Sequence, residues 1–190
     1  RIAAAKFPVI FAQHGAGSAE AFAALSALVE RWAIPVCQYW ALQLALPTDH
    51  AMHAGASPAQ LLEQADLVIV LDSLAPWSQQ AHVVRDDATV VHIGPDPLKA
   101  RTPIRNFRSD ISIVGELPDA ILALQSALDA HEPRADVEAR RADIASANAQ
   151  ARRAALARAE AGRDGVMSAN YVARVVSDTI AGRNAILLSE

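Results

Sequence analysis

The stretch "DLVIVL" at residues 66–71 is apolar without alternation apart from its first residue. A strand with one wet face alternates polar and apolar residues, because successive side chains point to opposite sides. An unbroken run therefore predicts a strand covered on both faces, as strands of parallel sheets are. Residues 8–12, in "FPVIFAQHGAGSAEAFAAL", make a second such run. It leads into a loop holding Gly15 and Gly17. Ser18 then caps a helix in which Phe22, Leu25, Val29 and Trp32 recur at helical spacing.

The same order repeats. Residues 36–39, 89–93 and 111–114 read as further strands. "SPAQLLEQA" predicts a helix with Ser57 as N-cap, Pro58 at the first helical position and Gln60 closing a capping box. Pro118 opens another helix, with Ile121, Leu124 and Leu128 on one side. Strands alternating with helices imply parallel crossovers. Residues 1–130 are thus expected to form a three-layer α/β/α, doubly wound parallel sheet of Rossmann-like kind.

From residue 131 the composition shifts to Ala and Arg. No Gly or Pro occurs between Arg134 and Ala161, which predicts a long helix with a thin apolar stripe lying along a surface. Asp136, Glu138, Asp143 and Glu160 interleave with the arginines, favouring a solvated face over a nucleic-acid-binding one. Gly162 and Gly165 are expected to end this linker, residues 131–165. Ser168 then caps a helix with Val172, Val175, Val176 and Ile180 inward, before a strand over 185–188. Residues 166–190 read as the start of a second α/β domain. With no initial methionine and a strand at its last residues, the chain is expected to be a piece of a longer polypeptide.

An apolar fraction of 52% excludes wholesale disorder, and a net charge of −4 gives no footprint for nucleic acid or an anionic membrane. No apolar run is long enough to span a bilayer. Cys37 is the only cysteine, so no intrachain disulfide forms, which suits a cytoplasmic location. Cys37 lies in a predicted strand and is expected to be buried and inert.

The chemistry-bearing residues are few. A dinucleotide fingerprint requires G-x-G-x-x-G between the first strand and helix. Gly15 and Gly17 fit, but Glu20 occupies the third position, and the second strand ends "CQYWA" without the usual acid. The glycines either serve a nucleotide or only permit a tight turn. Asp72 and Asp96 follow the third and fourth strands, where they would accept ribose hydroxyls or shape turns. Gly15, Gly17 and Asp96 are the candidate cofactor-binding residues. Asp49, His50 and His53 offer a three-ligand loop with no further ligand near in sequence. His14 would contact a ligand or cap the helix, and His82, His92 and His131 show no partner in sequence. Trp40 and Trp77 fall in loops and would mark contact surface. No nucleophile elbow, Walker loop or pair of catalytic carboxylates is present, so neither a catalytic residue nor a metal site is assigned.

Taken in order, residues 7–12, 33–36, 46–55, 65–71, 90–97 and 111–116 resemble the central domain of thiamine-diphosphate-dependent enzymes, the acetolactate synthase large-subunit group above all. The resemblance rests on "FPVIFA", "AIPV", "LPTDHAMHAG", "ADLVIVL", "VVHIGPDP" and "ISIVGE". It covers about residues 5–130. It implies a parent enzyme that uses thiamine diphosphate and Mg²⁺ to join or cleave bonds beside the carbonyl of a 2-oxo acid. Both catalytic domains would lie outside this chain, which alone would be inactive. The implied partners are the other domains of the parent and further copies of it. FAD or ADP is carried by some members. Here Asp72 stands where flavin-carrying members have glycine, and no arginine follows before Arg85. That departure speaks against flavin. Two further readings stay open: a self-contained module for ADP, FAD or NAD, and a ligand-free docking domain.

Overall fold

Five parallel strands build one sheet: β1 (Pro8–Ala12), β2 (Val36–Cys37), β3 (Leu67–Leu71), β4 (Thr89–Gly94) and β5 (Ile111–Val114), in spatial order β2-β1-β3-β4-β5. The computed structural model describes residues 1–102, 106–160 and 167–185. They belong to two compact units, Arg1–Asn148 and Ala149–Glu190. The first unit has the expected α/β Rossmann-like fold.

The central strands are covered on both faces, as their unbroken apolar runs require. Every residue of β1 and β3 is buried. On one face Ile10, Ile69 and Val91 stand side by side in register, beneath α1 (Ala19–Trp32) and α3 (Leu117–Asp129). On the other, Val9, Phe11, Val68, Val70 and Val90 meet Leu62 of α2 (Ala59–Gln64) and Trp77. Each such branched side chain contributes about 1.5–3 kcal/mol relative to exposure. At the amino edge, the Asp66 carboxylate accepts the N–H groups of Lys6 (2.7 Å) and Phe7 (2.9 Å), fixing where β1 starts beside β3.

The strand–helix alternation is incomplete. Among the described residues no helix joins β3 to β4 or β4 to β5. Trp77, expected on the surface, fills the space where a crossover helix would pack. It is 4% exposed, and its ring meets Phe11 (centroids 5.3 Å apart) and Phe107 (5.5 Å) edge-on. Trp40 is 66% exposed, as a loop position predicts.

Strand β2 is shorter than residues 36–39. Its outer edge is occupied by a loop: Val36 N–H donates to the Met52 carbonyl (2.9 Å), and Gln38 N–H to that of Gly55 (2.8 Å). An edge closed by its own loop is no longer open to another strand. The Ser57 capping box does not form. Pro58 itself takes the N-cap position and accepts the first intrahelical bond, from Leu62 N–H (3.0 Å), leaving Ser57 one residue too early. Ser18 does cap α1, accepting Ala21 N–H at 3.1 Å.

The long helix α4 runs Val137–Glu160. In the second unit Ser168 caps α5 (Ala169–Ile180), accepting Tyr171 N–H at 3.2 Å. Of the residues expected inward, Val172 and Val175 are 42% and 43% exposed, and Val176 and Ile180 are half-buried. Periodicity marks a stripe without supplying its cover. Gly162, Gly165 and all of the strand expected over 185–188 except Ala185 lie outside the described residues. No described helix is long and apolar enough to cross a membrane.

Because Trp77 replaces a helix in the core, Trp77→Ala should cost about 3–5 kcal/mol of unfolding free energy. Trp40→Ala should cost about 1 kcal/mol or less. Urea midpoints of the two variants, followed by circular dichroism, check the contrast.

Candidate functional site

In the strand order β2-β1-β3-β4-β5, the chain leaves β1 toward one side and returns to its other side at β3. Open α/β sheets hold ligands at that switch point, outside the carboxyl ends of the strands. The loops after β1, β2, β3 and β4 all reach this edge.

Gln13, the first residue past β1, ties three of them together. Its Nε2 donates to the Trp40 carbonyl (3.2 Å), while its Oε1 accepts Leu74 N–H (2.8 Å) and the Ser73 hydroxyl (3.3 Å). Its backbone carbonyl accepts Leu42 N–H (2.8 Å) and Gln43 N–H (3.2 Å). The residue is buried. An amide carries both a donor and an acceptor, so one side chain can satisfy groups of opposite kind on facing loops.

His14 neither caps α1 nor stands free. Its Nδ1 lies 2.6 Å from the Asp72 carbonyl, which can only accept, so the ring donates from that nitrogen. The Asp72 carboxylate pairs with the Lys99 ammonium, and both side chains are mostly buried. Asp72 and Lys99 both take left-handed backbone conformations, φ +36° and +49°. Non-glycine residues adopt that region only where surrounding contacts hold them there.

Both glycines of the loop have positive φ, +71° at Gly15 and +82° at Gly17. Both are also crowded by this chain itself. A Cβ at Gly17 would lie 2.8 and 2.9 Å from the Pro118 ring, and one at Gly15 would lie 3.0 Å from the Leu44 carbonyl oxygen. Asp96 sits in the turn after β4, where its carboxylate accepts Ala100 N–H (3.1 Å) and its carbonyl accepts Lys99 N–H (3.0 Å). Gln13 and Lys99 were not flagged by sequence reasoning, and Pro118 was read only as the start of a helix. The one signal for Lys99 was its place in "GPDPLKA", immediately after a strand.

The histidines of the loops after β2 and β3, and His92 of β4, have partners of their own. His50 Nδ1 accepts Met52 N–H (3.1 Å), and its Nε2 lies 3.7 Å from Glu30. His53 Nδ1 accepts Gly55 N–H at 3.4 Å. His82 Nδ1 accepts Ser78 N–H at 3.1 Å, and buried His92 contacts the Arg108 carbonyl at 3.1 Å. Among the described residues no group of three or more His, Cys, Asp or Glu side chains gathers as a metal site. Cys37 is buried, and burial pushes its thiol up to about 12, so it stays protonated and unreactive near neutral pH.

Residues 1–124 match the family described as thiamine pyrophosphate enzyme, central domain. The chain belongs to this family. Two of the solved structures that share its fold serve for comparison. One is a protein from Mycobacterium smegmatis provisionally assigned as a thiamin diphosphate-dependent enzyme, with a TM-score of 0.57, 22% identity and 71% of this chain covered. The other is benzoylformate decarboxylase from Polynucleobacter necessarius, with a TM-score of 0.54, 22% identity and 70% covered. The chain spans 27% and 26% of their lengths. No curated protein matches it in sequence at a significant level. For this central domain the switch-point edge is thus an assembly of loops bonded to one another.

Gly17 and Gly55 separate the two demands on the loop. Gly55 shares a positive φ of +72° but has open space where a Cβ would go. Gly55→Ala should lose about 1–2 kcal/mol from backbone conformation alone. Gly17→Ala should lose at least about 1 kcal/mol more, because the Pro118 ring must also move. Thermal melts of the pair measure the difference.

Proposed function

We propose that the chain is the connecting domain of a thiamine-diphosphate-dependent enzyme of the acetolactate synthase type, and that it holds no cofactor of its own. The family match over residues 1–124 supports the thiamine-diphosphate part of this reading, and the acetolactate synthase type rests on the order of the segments between residues 7 and 116. The parent would join or cleave the C–C bond beside the carbonyl of a 2-oxo acid. In the parent, thiamine diphosphate supplies the nucleophilic carbon, and Mg²⁺ would hold its diphosphate on residues of another domain. The name of one structural neighbour, a decarboxylase of benzoylformate, fits the same substrate class.

The absence of a bound nucleotide from the proposal is supported by the loops. Gly15 and Gly17 lie against Leu44 and Pro118, where a pyrophosphate would need to approach. The Asp96 carboxylate is engaged by Ala100, and Asp72 by Lys99. What remains for the domain is to hold its neighbours at fixed separation. We place the parent in the cytoplasm as a homo-oligomer.

The test uses two proteins, the product of the complete gene and the present chain. Each is given a panel of 2-oxo acids with thiamine diphosphate and Mg²⁺, and carbon dioxide release and carboligation products are followed. The complete protein should turn over at least one substrate only when the cofactor is added, and the present chain none. Failure of the complete protein to bind thiamine diphosphate, or turnover by the present chain alone, would overturn the proposal.

A further inference from the structure

The last carbonyls of an α-helix have no partner inside the helix. At the end of α1 they are bonded by two consecutive arginines of α4. Arg141 Nε and Nη2 donate to the carbonyls of Glu30 (2.9 Å) and Arg31 (3.0 Å). Arg140 Nη2 and Nε donate to those of Trp32 (2.9 Å) and Ala33 (3.0 Å). Arg140 Nη1 also reaches the Lys6 carbonyl at 2.6 Å, in the segment entering β1.

Arg140 is only 9% exposed, and burial draws its pKa down from the ordinary guanidinium range. A buried charge is costly unless its donors are satisfied. Here they meet carbonyls at the negative end of the α1 dipole, where a cation is favoured. The planar guanidinium addresses three carbonyls from two segments with donors on three separate nitrogens, a spread that the single nitrogen of an ammonium lacks.

The contact continues along one face of α4. Val137 is buried, Ile144 packs against the core, and Asn148 Nδ2 donates to the His50 carbonyl (2.7 Å). Positions 137, 140, 141, 144 and 148 follow helical spacing and share one side. All lie inside the first compact unit, which ends at Asn148.

We infer that residues 137–148 are a built-in strap of the central domain, locked by Arg140 and Arg141, so that its cooperative folding unit extends past the family match ending at residue 124. This inference is independent of the reaction assigned to the parent. A linker that only tethered would leave the α1 carbonyls to water.

Hydrogen exchange read by mass spectrometry on the whole chain tests it. In the wild type, amides of residues 141–148 should exchange at least about tenfold more slowly than those of 149–160, as expected for a segment that opens only with the domain. Arg140→Ala should cut that protection by about tenfold or more, since bonds from a charged donor are lost. Arg141→Ala should give a smaller loss, and Arg140→Lys an intermediate one. Arg153→Ala, at an exposed site on the same helix, should change nothing. Equal exchange on both sides of Asn148 in the wild type would overturn the strap. So would Arg140→Ala and Arg141→Ala variants that both keep full protection.

Discussion

Strands β1, β3 and β4 pair in parallel with nearly all their side chains out of water. Neither face can be solvated without exposing a row of Ile, Val, Leu or Phe. Everything else follows from covering those two faces. One receives α1 and α3. The other has only the short α2, and so recruits loops, with Trp77 wedged between Phe11 and Phe107. An aromatic side chain buries enough area to stand in for part of a helix.

The carboxyl edge shows what such loops are for. Four of them converge there, and their backbone groups need partners. Gln13 supplies bonds to the loops after β2 and β3, and the Asp72–Lys99 pair links the loops after β3 and β4. The glycines of the first loop let the chain pass close to Leu44 and Pro118. A motif read as half of a phosphate cradle is here packed against this chain's own residues.

Much of this was legible from residue order. Unbroken apolar runs gave β1 and β3 nearly to the residue, because nothing competes with burial there, and β5 was placed although its residues are half-buried or exposed. Ser18 announced α1 through its own hydroxyl. What escaped had physical reasons. The Ser57 capping box lost to Pro58, whose fixed φ suits a helical start. Trp77 looked exposed because it falls in a loop, while its partners, Phe11 and Phe107, are remote in sequence. The face of α4 that meets the core is largely arginine and asparagine, so a search for apolar periodicity passes over it. Val172 and Val175 show the reverse error, an apolar stripe that the described residues leave exposed. At the site, Gly15, Gly17 and Asp96 were found by motif, whereas Gln13 carries no motif and emerges only from its bonds.

The central claim is that this domain keeps its switch-point edge closed with its own side chains. Titration calorimetry of the purified chain with FAD and with ADP addresses it most directly. No saturable heat should develop up to millimolar nucleotide. A one-to-one isotherm with a micromolar Kd for either nucleotide would contradict it and return Gly15, Gly17 and Asp96 to a binding role.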